Sequence, residues 1–583
     1  MKVQKYLIVL ISLVFFTSCS IFTQPQKPKQ IKKGDYTYFK NYMNWFIKEK
    51  MEEQNIVGLS VALVDDKKIV WQKGFGYANK EKGIKASKDT IYRAGSLTKT
   101  FNAMAVMKLA EENKMDIDKP LKTYLSQFSI KSRFGSTDTI TPRNIMTHHS
   151  GIPSNWIDKM YTKNPISYKE HVELIKNEYV SYPVNTVFSY SNLAITLLGH
   201  AVENTVNIPY SQFIEKTFFN PMNMDSSFIG SELKGENSSK SYSNGKEVYD
   251  EYPMSQLPAG ALNTSVSDLA NFATMIHNNG TFNDKIILQK NSLQEMLKIQ
   301  NKNISLDFDI KIGLGFFISD KTFNGKDRVY AHNGMMVNHQ SSFKGTTKSK
   351  LSVIVMTNTK QANVDMIANE MLKQARIAKT GEILTEKIVR KKVNESIDFE
   401  GVYASSIGKI RIEKEDDRVF FTEVMGNNLQ LKISDDNKFY AKYMLLNLIP
   451  INHDMLKDKA FYTKKIGEKT ILVYVDKGLE YTFGVKIEPK NISQTWKNRL
   501  GTYYLINQPE VKDWQIEKVV AKIEDDFLIL EVTMKSGEVI KYILEIVNDN
   551  EAILQGMGRY LGETIRVEEG ILHYEGWQFK LTK

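Results

Sequence analysis

Three short motifs in this chain carry side chains that could do chemistry together. In chain order they are Ser96-Leu97-Thr98-Lys99, Tyr190-Ser191-Asn192 and His332-Asn333-Gly334. A serine hydroxyl is a poor nucleophile at neutral pH and needs a base within hydrogen-bond reach. Together the motifs supply a nucleophile, candidate bases and proton donors, and polar groups for a substrate. These are the parts of a serine acyl-transfer site.

Ser96 is the candidate nucleophile and Lys99 its candidate base. Residues three apart on a helix share one face, and a lysine acts as a base only when burial lowers its pKa. Apolar residues at helical spacing follow Ser96, with no proline or glycine before Pro120, which predicts a largely buried helix beginning at Ser96. Such a helix start also directs backbone N–H groups and the positive end of the helix dipole toward a developing oxyanion.

The other two motifs supply candidate proton-transfer and binding groups. The Tyr190 phenol would pass a proton between the serine and a leaving group, and the Asn192 amide would hold substrate or Lys99. An alternative is that Tyr190 packs in the core and Asn192 caps the next helix. In the third motif, His332 would bring a polar side chain and Gly334 a close backbone approach to substrate. Met335 would then provide a second oxyanion N–H.

Each motif alone is a weak indication, because the chain repeats all three patterns. Ser-x-x-Lys also begins at Ser231, Ser243, Ser341 and Ser406, Tyr-x-Asn recurs at Tyr242, and His-x-Gly recurs at His149. None of the other Ser-x-x-Lys sequences begins so long an apolar helix. Order and context therefore favour the set that starts at Ser96.

The elements around the motifs predict mixed α and β structure. An amphipathic helix is expected from Tyr36 to about Asn55, followed by a hairpin of residues 56–64 and 69–77. Helical segments alternate with loops over 116–323, and strands are expected at 328–330 and 351–356. One antiparallel sheet combined with helices is the simplest architecture that fits.

Past residue 380 the pattern becomes mostly β. Residues 400–403 (Glu-Gly-Val-Tyr) resemble residues 500–503 (Leu-Gly-Thr-Tyr), which indicates a weak internal repeat. We therefore predict two small barrel-like domains, 395–490 and 495–583, with one combined lipocalin-like barrel as the alternative.

The N-terminus resembles a bacterial lipoprotein signal. Residues 1–19 contain basic residues, then a short apolar run, then small residues before Cys19, the chain's one cysteine. The apolar run is shorter than the roughly 20 residues of a spanning helix, although a membrane anchor or an ordinary secretory signal is the alternative. We predict a lipid on Cys19, a flexible tether over 20–35, and a membrane-anchored protein of the bacterial cell envelope facing the periplasm or exterior.

Composition indicates a globular chain of several domains. The 583 residues are 42% hydrophobic, and 78 Lys+Arg against 67 Asp+Glu give a formal charge of +11. The basic residues are scattered among acidic ones, so nucleic-acid binding is not expected. The oligomeric state is left open.

The motifs and their flanks resemble the serine β-lactamase and penicillin-binding protein superfamily, in the branch with class C β-lactamases, D-aminopeptidases and related esterases. Further similar segments are Arg93-Ala94-Gly95, residues 140–153, residues 258–262 and Gly313-Leu314-Gly315. The resemblance spans about 36–379. It implies an α/β sandwich, with an antiparallel sheet flanked by helices and a helical subdomain beside it.

The resemblance also implies roles. Ser96 would be the acylated nucleophile, Lys99 and Tyr190 the acid/base pair, and Asn192 a substrate-binding residue, with the Ser96 and Met335 N–H groups as the oxyanion hole. No metal or organic cofactor is implied. His332 stands where the β-lactamases and most penicillin-binding proteins have lysine, so a permanent cation is replaced by a group that would titrate near pH 6.5. The D-aminopeptidase and esterase relatives share a histidine at this place.

We therefore expect a serine hydrolase acting on a small peptide, amide or ester, with D-configured or cell-wall-derived substrates included. A β-lactamase or D,D-carboxypeptidase is the first alternative. A non-catalytic penicillin- or muropeptide-binding lipoprotein is the second.

Overall fold

A computed structural model describes residues 23–248, 251–383, 392–393, 399–415, 418–424, 427–445, 449–451 and 459–582. Its helices are α1 (Thr37–Glu53), α2 (Thr98–Glu111), α3 (Pro142–Met146), α4 (His171–Leu174), α5 (Asn192–Val206), α6 (Tyr210–Ile214), α7 (Leu257–Gly260), α8 (Val266–His277), α9 (Lys290–Met296), α10 (Val364–Thr380) and α11 (Gln494–Lys497). The predicted lipid site, Cys19, lies outside the described residues.

The strands before residue 380 are β1 (Gly58–Asp65), β2 (Lys68–Asn79), β3 (Ile84–Lys85), β4 (Tyr92–Gly95), β5 (Phe228–Ile229), β6 (Tyr242–Ser243), β7 (Lys246–Glu247), β8 (Leu262–Thr264), β9 (Thr281–Phe282), β10 (Lys285–Ile286), β11 (Phe317–Ser319), β12 (Val329–Met335), β13 (Gln340–Thr346) and β14 (Leu351–Thr357). The central sheet has the order β11-β12-β13-β14-β1-β2-β3. Its neighbouring strands are antiparallel.

Alternation along the central strands divides the core into two layers. In β1, Ala62 and Val64 contribute to the cluster that contains α2, α5 and α8. From the same strand, Val61 and Leu63 contribute to the cluster under α1 and α10. Because successive strand residues point to opposite faces, one strand serves both cores. The predicted sandwich of an antiparallel sheet flanked by helices is confirmed.

The tail has the strands β15 (Gly401–Ser405), β16 (Gly408–Glu415), β17 (Arg418–Val424), β18 (Asn427–Ile433), β19 (Phe439–Leu445), β20 (Ile449–Ile451), β21 (Lys459–Ile466), β22 (Lys469–Asp476), β23 (Leu479–Ile487), β24 (Gly501–Leu505), β25 (Ile516–Glu524), β26 (Phe527–Met534), β27 (Val539–Asn548), β28 (Glu551–Leu554), β29 (Thr564–Glu568), β30 (Ile571–Tyr574) and β31 (Trp577–Leu581). The predicted barrel-like β tail is confirmed.

The tail strands form two sheets, here named the first and the terminal barrel. In the first barrel, β15 to β23, β15 pairs with β23 and β18 with β19, which completes a ring of pairings. Strands β24 to β31 close into the terminal barrel. Closure leaves no exposed sheet edge in the terminal barrel, all of whose strands the structure describes.

Among the described residues, no helix is both long and apolar enough to cross a bilayer.

Candidate active site

Ser96 lies in a tight junction between β4 and α2. Helix α2 begins at Thr98, so Ser96 occupies the turn before the helix and not its first residue, contrary to our expectation. The backbone N–H of Lys99 nevertheless donates to the Ser96 carbonyl at 3.0 Å. The Thr98 hydroxyl donates to the Gly95 carbonyl and accepts the Leu262 N–H, which fixes the turn.

Two glycines bring the end of β12 against this turn. Gly95 has φ +57°, and a Cβ there would lie 2.7 Å from the Met335 nitrogen. A Cβ on Gly334 would lie 1.8 Å from the Ala94 carbonyl oxygen. Gly334 therefore permits a close approach between two strands, and its close approach to a substrate stays a prediction. The backbone of Met335 consequently lies beside Ser96, as an oxyanion hole formed by their N–H groups requires.

Lys99 is buried at the base of the site and contacts the candidate nucleophile. Its Nζ is 3.0 Å from Ser96 Oγ and donates to the Ala259 carbonyl at 2.6 Å. The side chain is 1% exposed. Burial, together with the nearby Arg559 cation, holds the pKa of Lys99 well below its usual value. A substantial neutral fraction near neutral pH is what a lysine base needs.

Tyr190 completes a cluster of three side chains. Tyr190 lines the same cavity as Ser96, close enough for the two hydroxyl groups to interact, and the Lys99 side-chain nitrogen lies 4.8 Å from its ring centroid. Burial raises the pKa of Tyr190 to about 12, so the phenol keeps its proton at neutral pH. The His148 ring lies against it, with centroids 4.2 Å apart.

Asn192 is close to the cluster but bonds elsewhere. Its amide donates to Asn155 Oδ1 at 2.8 Å, and Ser191, not Asn192, caps α5 by accepting the Ala194 N–H. Both asparagines line the same cavity as Ser96. Asn192 is thus held beside the site with its amide fixed by Asn155 and not by Lys99.

His332 reaches the site from β12 as a neutral group. It is 3% exposed, and its Nδ1 lies 2.7 Å from the Asn333 carbonyl oxygen. Burial, and secondly the nearby Lys99 ammonium when it is protonated, lower the pKa of His332 to about 3. Our expectation that this group changes charge near pH 6.5 is therefore wrong, because the unburied reference value does not apply here.

The terminal barrel supplies a cation to the site that no motif in the sequence predicts. Arg559, between β28 and β29, lies over the rings of Tyr190 and Tyr560 at 5.1 and 4.7 Å from their centroids. Its Nε is buried without a hydrogen-bond partner, and it forms no ion pair with any residue that the structure describes. No local pattern around Arg559 signals this position, since the contact joins residues 369 apart in sequence.

Two buried acids attach the terminal barrel to a loop of the site. Glu563 accepts the Ser154 N–H and Glu575 the Asn155 N–H, each at 2.8 Å. Burial and the neighbouring Glu563 raise the pKa of Glu575 well above its usual value. The pair therefore holds a proton between its two carboxyls, whose Oε2 atoms are buried with no other hydrogen-bond partner among the described residues. Through Asn155 this attachment extends to Asn192.

The motif repeats have other contacts. The Tyr242 hydroxyl hydrogen bonds Glu81, and His149 pairs with Asp307 at 2.8 Å. Lys344, of the Ser341 repeat, pairs with Asp365. The set beginning at Ser96 is the one with serine, lysine and tyrosine in mutual contact among the described residues.

A family model and several known proteins match this chain. The family model Beta-lactamase matches residues 43–376. Protein flp of Staphylococcus aureus (strain NCTC 8325 / PS 47) is 23% identical over 332 residues, covering 56% of this chain and 64% of that protein. Unguisins hydrolase ungD' of Aspergillus campestris is 26% identical over 245 residues, covering 40% and 46%. The chain thus spans less than two thirds of the length of these relatives.

Solved structures share the fold. The octameric penicillin-binding protein homologue from Pyrococcus abyssi is 23% identical with a TM-score of 0.54, covering 76% of this chain and 99% of that one. SurE is 16% identical with a TM-score of 0.56, covering 76% and 98%. The family match covers more than half of the chain and includes all three motifs. The chain belongs to the beta-lactamase family, within the serine β-lactamase and penicillin-binding protein superfamily.

Proposed function

We propose that this protein is a serine hydrolase that forms an acyl-enzyme at Ser96 with a peptide, amide or ester substrate. The observation that carries the proposal is the contact of Ser96 Oγ with the buried Lys99 Nζ at 3.0 Å. A neutral amine at that distance can accept the hydroxyl proton as Oγ attacks.

In the first half of the reaction, Ser96 Oγ bonds to the substrate carbonyl carbon and its proton passes to Lys99. The carbonyl electron pair moves to oxygen, where the N–H groups of Ser96 and Met335 stabilise the negative charge. The bond to the leaving group then breaks, and the leaving group takes a proton from Tyr190, which recovers one from Lys99. Because its pKa is about 12, Tyr190 is better suited to donate than to act as the first base.

In the second half, water adds to the acyl carbon, gives its proton back through the same pair, and releases the acid and free Ser96. Fast release distinguishes a hydrolase from a non-catalytic binder that stays acylated. The hydrolase and the non-catalytic binder both require acylation of Ser96.

Arg559 favours one alternative, a carboxypeptidase-type reaction. A cation without an ion-pair partner among the described residues, beside Tyr190, is suited to a substrate carboxylate. The neutral His332 does not supply that charge, so binding of any substrate carboxylate, that of a β-lactam included, would depend on Arg559. SurE has been crystallised with D-Leu, and D-amino acid amides and esters therefore belong in the first substrate screen.

The test is intact-mass spectrometry of a fragment starting at Lys33 after exposure to a fluorophosphonate and, separately, to a penicillin. A single fluorophosphonate adduct that disappears in Ser96→Ala supports the proposal. Ser231→Ala, in another Ser-x-x-Lys sequence, is the matched control and should label normally. Labelling that survives Ser96→Ala would refute the assignment of the nucleophile.

We also propose that Cys19 carries a lipid that anchors the protein in the bacterial cell envelope. The apolar run followed by the single cysteine supports this. Full-length protein should partition with membranes and Cys19→Ala should not. Equal partitioning of the two would contradict a lipid anchor.

A further inference from the structure

The cavity that contains Ser96 extends into the terminal barrel. It has a volume of about 960 Å³ and is lined at one end by Ser96, Tyr190 and His332. At the other end its walls are Leu530, Ile565 and Phe579, from β26, β29 and β31. Ligand pockets of proteins reach roughly 1,000 Å³, so this space exceeds what a small scissile group alone requires.

The alternation of β26 shows that these walls are the inside of the barrel. Leu528, Leu530 and Val532 contribute to the barrel's own apolar cluster. The residue between the first two, Ile529, instead belongs to a separate apolar cluster that includes Val402 of the first barrel. Successive strand residues face opposite sides, so Val532, which also lines the cavity, points into the lumen.

The lumen is filled at one end and open at the other. Trp496 packs into the apolar cluster and its indole N–H donates to the Asn548 carbonyl, at the C-terminal end of β27. Ile540 and Tyr542, near the opposite end of β27, line the cavity. An eight-stranded barrel is just wide enough to be filled by side chains or to hold one small ligand. Side chains fill this barrel at the Trp496 end, and the end toward Ser96 has room for a ligand.

An apolar collar joins the lumen to the site. Met160, Tyr161, Met254 and Met336 pack with Trp514, and Tyr161 and Trp514 meet edge to face at 5.1 Å. Methionine side chains are flexible and adapt to varied apolar shapes. Apolar side chains therefore form most of the walls from collar to lumen and suit hydrocarbon, with Glu538, Tyr542 and Tyr574 as polar groups in the barrel part of the lining.

We propose that the terminal barrel is the binding site for a long acyl chain, and that the substrates are fatty-acyl esters or amides whose carbonyl reaches Ser96. This inference rests on the proposed function and names its substrate class. Hydrocarbon in the lumen would regain the contacts that an unfilled apolar cavity lacks.

The binding test uses cis-parinaric acid, whose fluorescence increases in apolar surroundings. The protein is the fragment that starts at Lys33 and includes both barrels. Saturable binding is expected for the wild type and for Ser96→Ala. Val532→Trp fills the lumen and should weaken binding at least about tenfold, as expected from excluding several methylenes. Val539→Trp makes the same change at a position that is 47% exposed and should bind normally. Circular dichroism and thermal melts check folding of both variants.

The kinetic test uses nitrophenyl esters with straight acyl chains of increasing length. In the wild type and Val539→Trp, kcat/KM should rise about fourfold per methylene, and in Val532→Trp it should stop rising. The inference is overturned if the wild type binds no parinaric acid, if both tryptophan variants bind it equally, or if chain length has no effect on turnover. Bound parinaric acid without turnover of any ester would instead refute the proposed hydrolase function.

Discussion

The first and the terminal barrel begin in the same way but differ in what they do for the site. Each opens on a Gly-x-Tyr strand, and the tyrosine hydroxyl donates to the carbonyl four residues earlier, from Tyr403 to Phe399 and from Tyr503 to Arg499. This is the structural counterpart of the repeat seen in the sequence. The two units thus share a local construction.

Their interiors and contacts differ. In the first barrel, Phe399 and Phe439 stack with centroids 4.0 Å apart inside the apolar cluster. It meets the hydrolase domain at Leu306 and Asp309 through Thr482 and the Glu480 N–H. The terminal barrel instead attaches to the loop at Ser154 and Asn155 and extends Arg559 to Tyr190. One architecture therefore supports two roles, because the loops and the lumen decide which role it takes.

The largest effect is expected from a change in the domain before residue 380, which contains Ser96 and Lys99, and not from a change in either barrel. Lys99→Met should reduce kcat/KM by at least about 10³-fold, because no other described amine or carboxylate hydrogen bonds to Ser96 Oγ. Lys344→Met, in a neighbouring Ser-x-x-Lys sequence, should change it by less than about tenfold. Steady-state kinetics on one ester measure both. Comparable losses would mean that Lys99 is not the base.

The next effect distinguishes the two barrels electrostatically. Arg559 disfavours protonated Lys99, so Arg559→Gln should raise the pKa of Lys99 and move the acid limb of the kcat/KM profile to higher pH. The rate near neutral pH should fall about tenfold, as expected for a charge in a partly buried site. Lys464→Gln, which removes a first-barrel cation over Phe308, should leave the profile in place. If the acid limb does not move in Arg559→Gln, Arg559 does not lower the pKa of Lys99.

A smaller effect concerns stability. The folded-state pKa of Glu575 is raised, so its stabilising contribution is complete below the unfolded pKa of about 4.3 and is lost as pH rises through the folded value. The free energy of unfolding should fall by up to about 1.4 kcal/mol per pH unit in that window. Glu575→Gln should flatten this slope, whereas Glu480→Gln at the first barrel should not. Urea titrations at several pH values measure the free energy of unfolding. If it changes with pH equally in the wild type and in Glu575→Gln, the pair does not hold a proton.

The smallest effect uses the repeated tyrosines. Tyr403→Phe and Tyr503→Phe each remove one hydrogen bond and should each cost about 1 kcal/mol of stability. Only Tyr503→Phe should also alter KM for long-chain esters, since its barrel lines the cavity that contains Ser96 and no described residue of the first barrel does. Equal effects on KM would show that the two barrels are not functionally distinct.

The sequence predicted what depends on local spacing. Ser96 and Lys99 are three residues apart, and the apolar pattern after them predicts the burial that lowers the pKa of Lys99. The two apolar runs around residues 65–68 predicted the hairpin of β1 and β2, and the Gly-x-Tyr repeat predicted two similar β units. These features need only the periods of helix and strand.

The features of the site that the sequence did not predict depend on contacts between distant segments. Arg559 reaches Tyr190 because the barrel is attached to the site, by Glu563 and Glu575 at residues 154–155 and by contacts such as that of Arg566 with Glu178. The pKa of His332 follows from burial that its own motif does not encode. Gly334 is required by the Ala94 carbonyl, which lies on another strand. Such contacts have no signature in the spacing of neighbouring residues.

The most direct test of the central claim is rapid-quench mass spectrometry during turnover of a nitrophenyl ester, with peptide mapping of the adduct. We predict an acyl group on the peptide that contains Ser96, formed before the product acid and absent in Ser96→Ala. Turnover that persists in Ser96→Ala, or an acyl group on another residue, would contradict the account.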